Sequence, residues 1–364
     1  MSRRGGPTFI DLFCGCGGLT RGFTDSGFRL RGAVDSDLAA AATFAANFGV
    51  ERVVWGPINR LIDVPSVDVV VGGPPCQGFS SLGKRDPSDR RNRLWREYAR
   101  VVRASGCSVF VLENVDRFGR SEEMRSLTRA TRRGGLLEGF TLEHYLLNAA
   151  DYGTPQRRVR TVLIGSRVGP VGPPAATHSR DGTVLDPWRT VWDAIEELPY
   201  HPYDQWPDST TDAWGEDVPG PFKLDDLHVA RHYTDTSLAR FRAIPPGGNR
   251  FDLPEELKAE CWKKHTTGAT DVMGRLAWDK PAVTIRTEFF KPEKGRYLHP
   301  QMNRALTHAE AALLQGFDDR HQWCGKKLEI ARQIGNAVPP PLALAIAHRV
   351  KQRLTRASTI ATGA

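Results

Sequence analysis

Five short apolar runs constrain the fold of this chain more than any other feature. They are TFIDLF (8–13), LRGAVD (30–35), VDVVVGG (67–73), SVFVLENV (108–115) and RTVLIGS (160–166). Each has strand length and is nearly continuous in apolar character, the pattern of a strand covered on both faces. Between several of them lie stretches with helical spacing, at residues 18–26, 38–47 and 93–104. This alternation predicts an α/β fold, a parallel sheet with helices on both faces.

The character changes near residue 168. VGPVGPPAATHSRDGT is rich in proline and glycine, and up to about residue 275 Trp, His, Asp and Pro recur with little periodicity. This predicts a separate, loop-rich module whose Trp and His residues form chiefly local core. Regular patterning returns at KPAVTIRTEF (280–289) and THAEAALLQGF (307–317). PPPLALAIAHRVKQRL (339–354) is apolar at helical spacing, and the tail after it is expected to fray. With 40% hydrophobic and 25% charged residues, the 364-residue chain can bury a real core. Its net charge of +8 leans weakly toward a polyanionic partner. No apolar stretch nears the roughly 20 residues that span a bilayer, and the N-terminus shows no signal-peptide core. Cys14, Cys16, Cys76, Cys107, Cys261 and Cys324 form no disulfide framework, which predicts reduced thiols and a cytoplasmic address.

Two turns carry the chemistry. FIDLFCGCGGLT puts Gly15, Gly17 and Gly18 between a strand and a helix, where glycine lets backbone approach a ligand closely. The dinucleotide pattern G-x-G-x-x-G is incomplete, because Thr20 stands at its third glycine. Asp35, about 20 residues on and at the end of the second strand, is placed to take ribose hydroxyls. On these residues alone, a ligand loop and a ligand-free tight turn both stay open. A metal site at Cys14 and Cys16 is not expected, since no second Cys or His pair stands nearby.

VDVVVGGPPCQGFS (67–80) runs from a strand through Gly72, Gly73, Pro74 and Pro75 to Cys76. A thiol held at the carboxyl edge of the sheet, near the N–H groups that open a helix, is set up to ionise. An ordinary buried thiol fits Cys107 and not Cys76. Glu113, in LENV, emerges at the same edge, so the two make a candidate nucleophile and proton donor. In QRRVRTVLIG, strand alternation would put Arg158 and Arg160 on one face. Charges that open a buried strand need an anion or an acceptor to meet.

Together these residues resemble the DNA (cytosine-5)-methyltransferase family, over most of the chain and in the family's order. DLFCGCGG (11–18) resembles its S-adenosylmethionine loop, GGPPCQGFS (72–80) its catalytic cysteine loop and LENV (112–115) its glutamate motif. QRRVR (156–160) resembles its Q-R-R-x-R motif, and RALTHAEAALLQGF (304–317) and QIGNAVPPPLA (333–343) its last two motifs. The resemblance implies a Rossmann-like methyltransferase sheet formed by residues 1–168 and 325–364. A smaller loop-rich domain would span 169–324, with target recognition at about 169–275.

The implied activity moves a methyl group from S-adenosyl-L-methionine to C5 of a cytosine flipped out of a specific duplex DNA sequence, in restriction–modification, defence or solitary methylation. Cys76 would attack C6, Glu113 would contact N3 and the exocyclic amine and supply a proton, and Arg160 would hold O2, with Arg158 grouped beside them. Asp11, Phe13, Gly15, Gly17, Asp35, Ser36, Ile58, Pro75, Leu94, Asn336 and Ala337 would line the cofactor. Gln77, Ser80, Lys84, Arg91 and Gln156 would meet DNA. One departure stands in GPIN (56–59), where Pro57 replaces the family's adenine-reading aspartate; either Asn59 or Asp63 would substitute, or the cofactor would bind more weakly.

The expected partners are double-stranded DNA and a cognate restriction endonuclease or defence-system proteins, with no membrane. A monomer in the bacterial cytoplasm, associated with the nucleoid, is expected. Two alternatives stay open: a transfer-RNA cytosine-5 methyltransferase, whose Cys-Phe-Thr signature is absent here, and a catalytically silent DNA-binding module.

Overall fold

The computed structural model describes residues 5–75, 94–264 and 267–362. It divides into two compact units, Met1–Tyr152 with Val159–Thr177 and Val338–Ala364, and Gly153–Arg158 with His178–Ala337. In chain order the helices are α1 (Gly18–Asp25), α2 (Leu38–Phe48), α3 (Leu94–Ser105), α4 (Glu122–Ala130), α5 (Trp192–Ile195), α6 (Asp235–Ala243), α7 (Glu260–Lys263), α8 (His308–Leu314), α9 (Lys327–Asn336) and α10 (Pro340–Thr362). Among the described residues no helix is long and apolar enough to cross a membrane.

The first unit is built on seven strands: β1 (Thr8–Leu12), β2 (Arg29–Asp35), β3 (Val53–Trp55), β4 (Val69–Gly72), β5 (Val109–Val115), β6 (Thr141–Asn148) and β7 (Val159–Ser166). Their spatial order is β3-β2-β1-β4-β5-β7-β6. Alternate residues of one strand enter two different cores, which is why the runs look continuously apolar. Phe9, Val69, Val71, Val109, Val111, Val162 and Ile164 pack under Leu19 and Phe23 of α1 and Leu342, Ile346 and Val350 of α10. Ile10, Leu12, Val70, Phe110, Leu112 and Leu163 pack on the other face with Tyr98, Val101 and Val102 of α3 and Met124 and Leu127 of α4.

The five strands from β3 to β5 run parallel. The sheet is not parallel throughout, as expected from sequence, because β7 lies antiparallel to both β5 and β6. The chain returns from β6 through residues 149–158 and slots β7 between β6 and β5. Glycine sets the spacing at the centre: a Cβ on Gly72 would lie 2.3 Å from the Leu12 carbonyl oxygen, so only glycine lets β4 end against β1.

Other differences are local. The 280–289 segment forms no strand, only an isolated bridge from Ala282 to Gln156. The tail does not fray, since α10 runs on to Thr362. The units change over at 177/178 and 337/338, whereas the expected boundaries were 168/169 and 324/325. Val171 is buried in the α10 core and its N–H donates to Glu143 Oε2 at 2.7 Å, which holds 169–177 in the first unit. In the second unit, Gln333 of α9 donates to the Cys324 carbonyl at 2.8 Å.

The second unit has little regular structure, so side chains organise its loops. Arg275 is 3% exposed and uses all five N–H donors on Ile244, His299, Met302, Phe241 and Asn303. Arg304 donates to both carboxylate oxygens of Glu310 at 2.9 and 2.7 Å. Thr307 and Glu310 close a capping box on α8, and His228 Nδ1 sits 3.1 Å from Thr307 Oγ1. His228 is buried, whereas His178 is half-buried and His201 and His232 are exposed, so the histidines of this stretch are not chiefly core.

Candidate active site

The strand order reverses between β1 and β4, and in such sheets the crevice outside the carboxyl ends at that point is where ligands bind. Five parallel strands deliver their ends to this edge. After β1 the backbone turns through Phe13 at φ 60 and Gly15 at φ 54, both left-handed, then Gly17 at φ 88 caps α1. A bulky residue in that region is strained, and such strain gathers at ligand sites. A Cβ on Gly15 would meet nothing within 4 Å among the described residues.

Beneath the loop are two carboxylates. Asp35, at the end of β2, accepts from the Gly15 N–H at 2.8 Å and the Asp37 N–H at 2.9 Å. Asp11 is fully buried; its Oδ2 accepts from Thr20 Oγ1 at 2.7 Å, and its Oδ1 has no hydrogen-bond partner among the described residues. Burial raises Asp35 above the usual carboxylate range, and burial with the neighbouring Asp35 charge pushes Asp11 up to about 7. Burial also lifts the Cys16 thiol to about 12 and Cys14 well above the ordinary range, so both stay neutral. Thr20, the apparent flaw in the glycine pattern, is thus the hydrogen-bond partner of Asp11.

Around this loop Ile58 is buried, Phe13 and Leu94 are half-buried, and Ser36 and Pro75 are exposed. Pro57 opens a single turn over Ile58–Arg60 that leaves Asn59 exposed. Arg100 of α3 donates to the Ile58 and Leu61 carbonyls at 3.3 Å and clamps that turn from below. Asn336 and Ala337 lie in the second unit; Asn336 is exposed, and the Ala337 carbonyl accepts from Gln315 at 2.8 Å.

At the end of β5, Glu113 meets Arg160, with Nε and Oε1 3.1 Å apart and both side chains about nine-tenths buried. The antiparallel pairing brings them together: Val115 of β5 stands opposite Arg160, so the start of β7 lies beside the end of β5. Burial pulls the Arg160 guanidinium below its ordinary value against the charges of Glu113 and Asp116, yet it remains a cation. Asn114 donates to the Pro74 carbonyl at 2.9 Å, which ties the turn before Cys76 to the same strand end. A Cβ on Gly73 would sit 3.4 Å from Glu113 Oε2.

Cys76, Gln77, Ser80, Lys84 and Arg91 lie outside the described residues. The alternation expected from Arg158 onward begins only at Val159. Arg158 precedes the strand, belongs to the second unit and is 2% exposed. It donates to the Ile285 carbonyl at 2.9 Å and the Gly335 carbonyl at 2.8 Å, so it meets acceptors rather than sharing a strand face with Arg160. Gln156, expected at DNA, is fully buried. Its amide nitrogen donates to the Leu314 carbonyl at 3.1 Å and its oxygen accepts from the Ile285 N–H at 2.8 Å, so it has no surface to offer DNA. Sequence reasoning missed Thr20, Asn114 and Arg100, whose roles depend on contacts distant in the chain.

A sheet in this order, with a glycine loop after the first strand and an acid at the end of the second, defines a Rossmann-like methyltransferase. The chain belongs to the C-5 cytosine-specific DNA methylase family, whose family model matches residues 7–352. It is 32% identical over 360 residues to the Type II methylase M.HgiDII of Herpetosiphon aurantiacus, covering 95% of each chain. It is 34% identical over 355 residues to the Type II methyltransferase M1.HphI of Haemophilus parahaemolyticus, covering 94% of this chain and 86% of that one. In fold it is similar to a solved structure described as a prophage-encoded DNA modification methyltransferase from Escherichia coli. The TM-score is 0.68 at 24% identity, over 96% of this chain and 99% of that one.

Proposed function

We propose that this DNA cytosine C5 methyltransferase takes its methyl group from S-adenosyl-L-methionine at the β1–α1 loop and works through Cys76, Glu113 and Arg160. The single observation that carries the reading is the buried Glu113–Arg160 pair at the strand end beside the cysteine turn. Bound S-adenosylmethionine supplies an electrophilic methyl group. The residues present fit it: among the described residues nothing crowds Gly15, and the Asp35 carboxylate stands beneath the loop for ribose. The Asp35 carboxylate beneath the loop suits the ribose of an adenosine ligand.

Cytosine C5 is a weak nucleophile. Addition of the Cys76 thiolate to C6 makes C5 electron-rich, and Glu113 and Arg160 stabilise the developing charge on N3 and O2. Glu113 supplies the proton at N3. After methylation, water as base takes the C5 proton, the freed electron pair re-forms the C5–C6 double bond, the C6–S bond breaks to return the Cys76 thiolate, and N3 gives its proton back to Glu113. A cytosine within a duplex is reached only after flipping, at a cost of a few kcal/mol. Ser80, Lys84 and Arg91 are assigned to phosphates, contacts that position DNA without reading its sequence. The similarity to Type II enzymes favours restriction–modification with a cognate endonuclease.

The test is transfer of a labelled methyl group to mixed-sequence duplex DNA and, in parallel, to total RNA. Label in DNA that disappears in Cys76→Ala, while that variant still binds DNA, is the expected result. Label retained in Cys76→Ala overturns the covalent route, and label only in RNA moves the chain to transfer-RNA chemistry.

A further inference from the structure

We propose that Arg117 and Arg120 grip the phosphates of the DNA strand that carries the target cytosine, one turn of chain beyond the acid that meets its base. The inference rests on the reading of Glu113 as that acid. Neither arginine belongs to a motif that carried the family resemblance.

β5 ends at Val115, and the chain passes straight into a single tight turn of helix, Asp116–Arg120. That turn is fastened to the same strand ends as the Glu113–Arg160 pair. Phe118 in its middle is 2% exposed and enters the core that holds Leu112 of β5 and Leu163 of β7. The Asp116 carbonyl accepts at 3.1 Å from Oγ1 of Thr161, the residue after Arg160. Gly119 packs on the Thr161 side chain, and the Ser121 N–H donates to the Phe118 carbonyl at 2.9 Å. The Cα of Arg117 therefore lies within about 14 Å of that of Glu113, the most that four extended residues span.

With three residues per turn, side chains three apart eclipse one another. Arg117 and Arg120 thus leave one side of the turn, about 6 Å apart along its axis, while Phe118 goes to the core. Both arginines are exposed, and among the described residues neither guanidinium has a hydrogen bond or an ion pair. The acid beside them is turned back into the chain, since Asp116 Oδ1 accepts from the Arg117 backbone N–H at 2.9 Å. The next arginines behave differently. Arg125 and Arg129 both bond to Glu122, at 2.7 and 2.5 Å, as a solvated charged helix neutralises itself.

The order of groups along the chain matches the order of parts in a nucleotide. Glu113 is for the base. Val115 leaves an apolar side chain 37% exposed, suited to the sugar. Arg117 and Arg120 follow with permanent charge and a fork of N–H donors that matches phosphate. Successive phosphates of one strand advance about 3.4 Å along the duplex axis, so two arginines about 6 Å apart span neighbouring phosphates. Contacts of this kind hold a strand in place and carry no sequence information.

The measurement is duplex DNA binding by the full chain, followed by fluorescence anisotropy between about 50 and 200 mM salt. Arg117→Gln and Arg120→Gln should each weaken binding and lower the slope of log K against log salt by about 0.9, and the double variant by about 1.8. Affinity for S-adenosylmethionine and urea melts should match the native chain. Arg125→Gln, at a paired arginine of the same stretch, should leave the slope unchanged. A second duplex locates the contact. It carries the word methylated by the native chain, with neutral methylphosphonates on either side of the target cytosine. These linkages should weaken the native chain and leave the double variant unaffected. An unchanged salt slope in the double variant overturns the proposal, as does an equal loss by both proteins on the methylphosphonate duplex. Native-rate methylation by Glu113→Gln overturns the assignment of the acid instead.

Discussion

Glu113 and Arg160 are 47 residues apart in number and meet only because one strand runs against its neighbours. Neither position is sufficient alone: a strand-end glutamate is usually a cap, and an arginine opening a strand is usually solvated. Buried together they become a charge pair that can face a polar ring. Glu113→Gln keeps the shape and removes the transferable proton. It should lower single-turnover methylation by about 10²–10⁴-fold, the range of a lost general acid. Calorimetry should show cofactor affinity essentially unchanged, and a near-normal rate would assign the proton to another group. Asp11 gives a second prediction. Its pKa rises from an ordinary 3.8 to about 7 on folding, so the folded chain holds the proton more tightly and loses stability as pH rises through that window. Urea melts should therefore find Asp11→Asn more stable than the native chain at pH 8, by up to about 4 kcal/mol, and little different at pH 4.

At the scale of elements, the β1–β4 junction is a close backbone contact within the sheet. Gly72→Ala places a methyl group 2.3 Å from the Leu12 carbonyl oxygen, and backbone there cannot yield as a side-chain tip can. It should cost about 1–3 kcal/mol in chemical denaturation, with cofactor binding weakened as the two strand ends part. The strands of this junction were legible in the sequence because both faces are buried. β6 was not: TLEHYLLN is an edge strand, half-exposed, with Glu143 and His144 breaking the apolar run. β3 has only three residues. α4 opens with EEMRS and buries only Met124 and Leu127, too thin a stripe to mark a helix. The site divides in the same way. Glycines, strand-end acids and the cysteine turn announce themselves locally. The burial of Gln156 and Arg158 does not, because their acceptors at Leu314, Ile285 and Gly335 lie far along the chain.

At the scale of the whole molecule, the two units should answer acid differently. Burial lowers His299 and His308 from 6.5 to about 4, and lowers His228 as well. These groups are neutral when folded and bind protons more readily when unfolded. Their stabilisation is complete above pH 6.5 and is lost as pH falls toward 4. Hydrogen exchange at pH 5 should find amides near residues 299–310 opening before those of β1 and β4, where Asp11 acts in the opposite sense. The same unit also contains a six-residue piece, Gly153–Arg158, inserted between two segments of the other. Recombination that exchanges the second unit between related genes by cutting at 177/178 and 337/338 leaves this hexapeptide behind. A hybrid inherits Gln156 and Arg158 from one parent and their acceptor carbonyls from the other. The short Q-R-R-x-R segment thus acts as a compatibility tag, setting which donor modules a given sheet can adopt without a misfit.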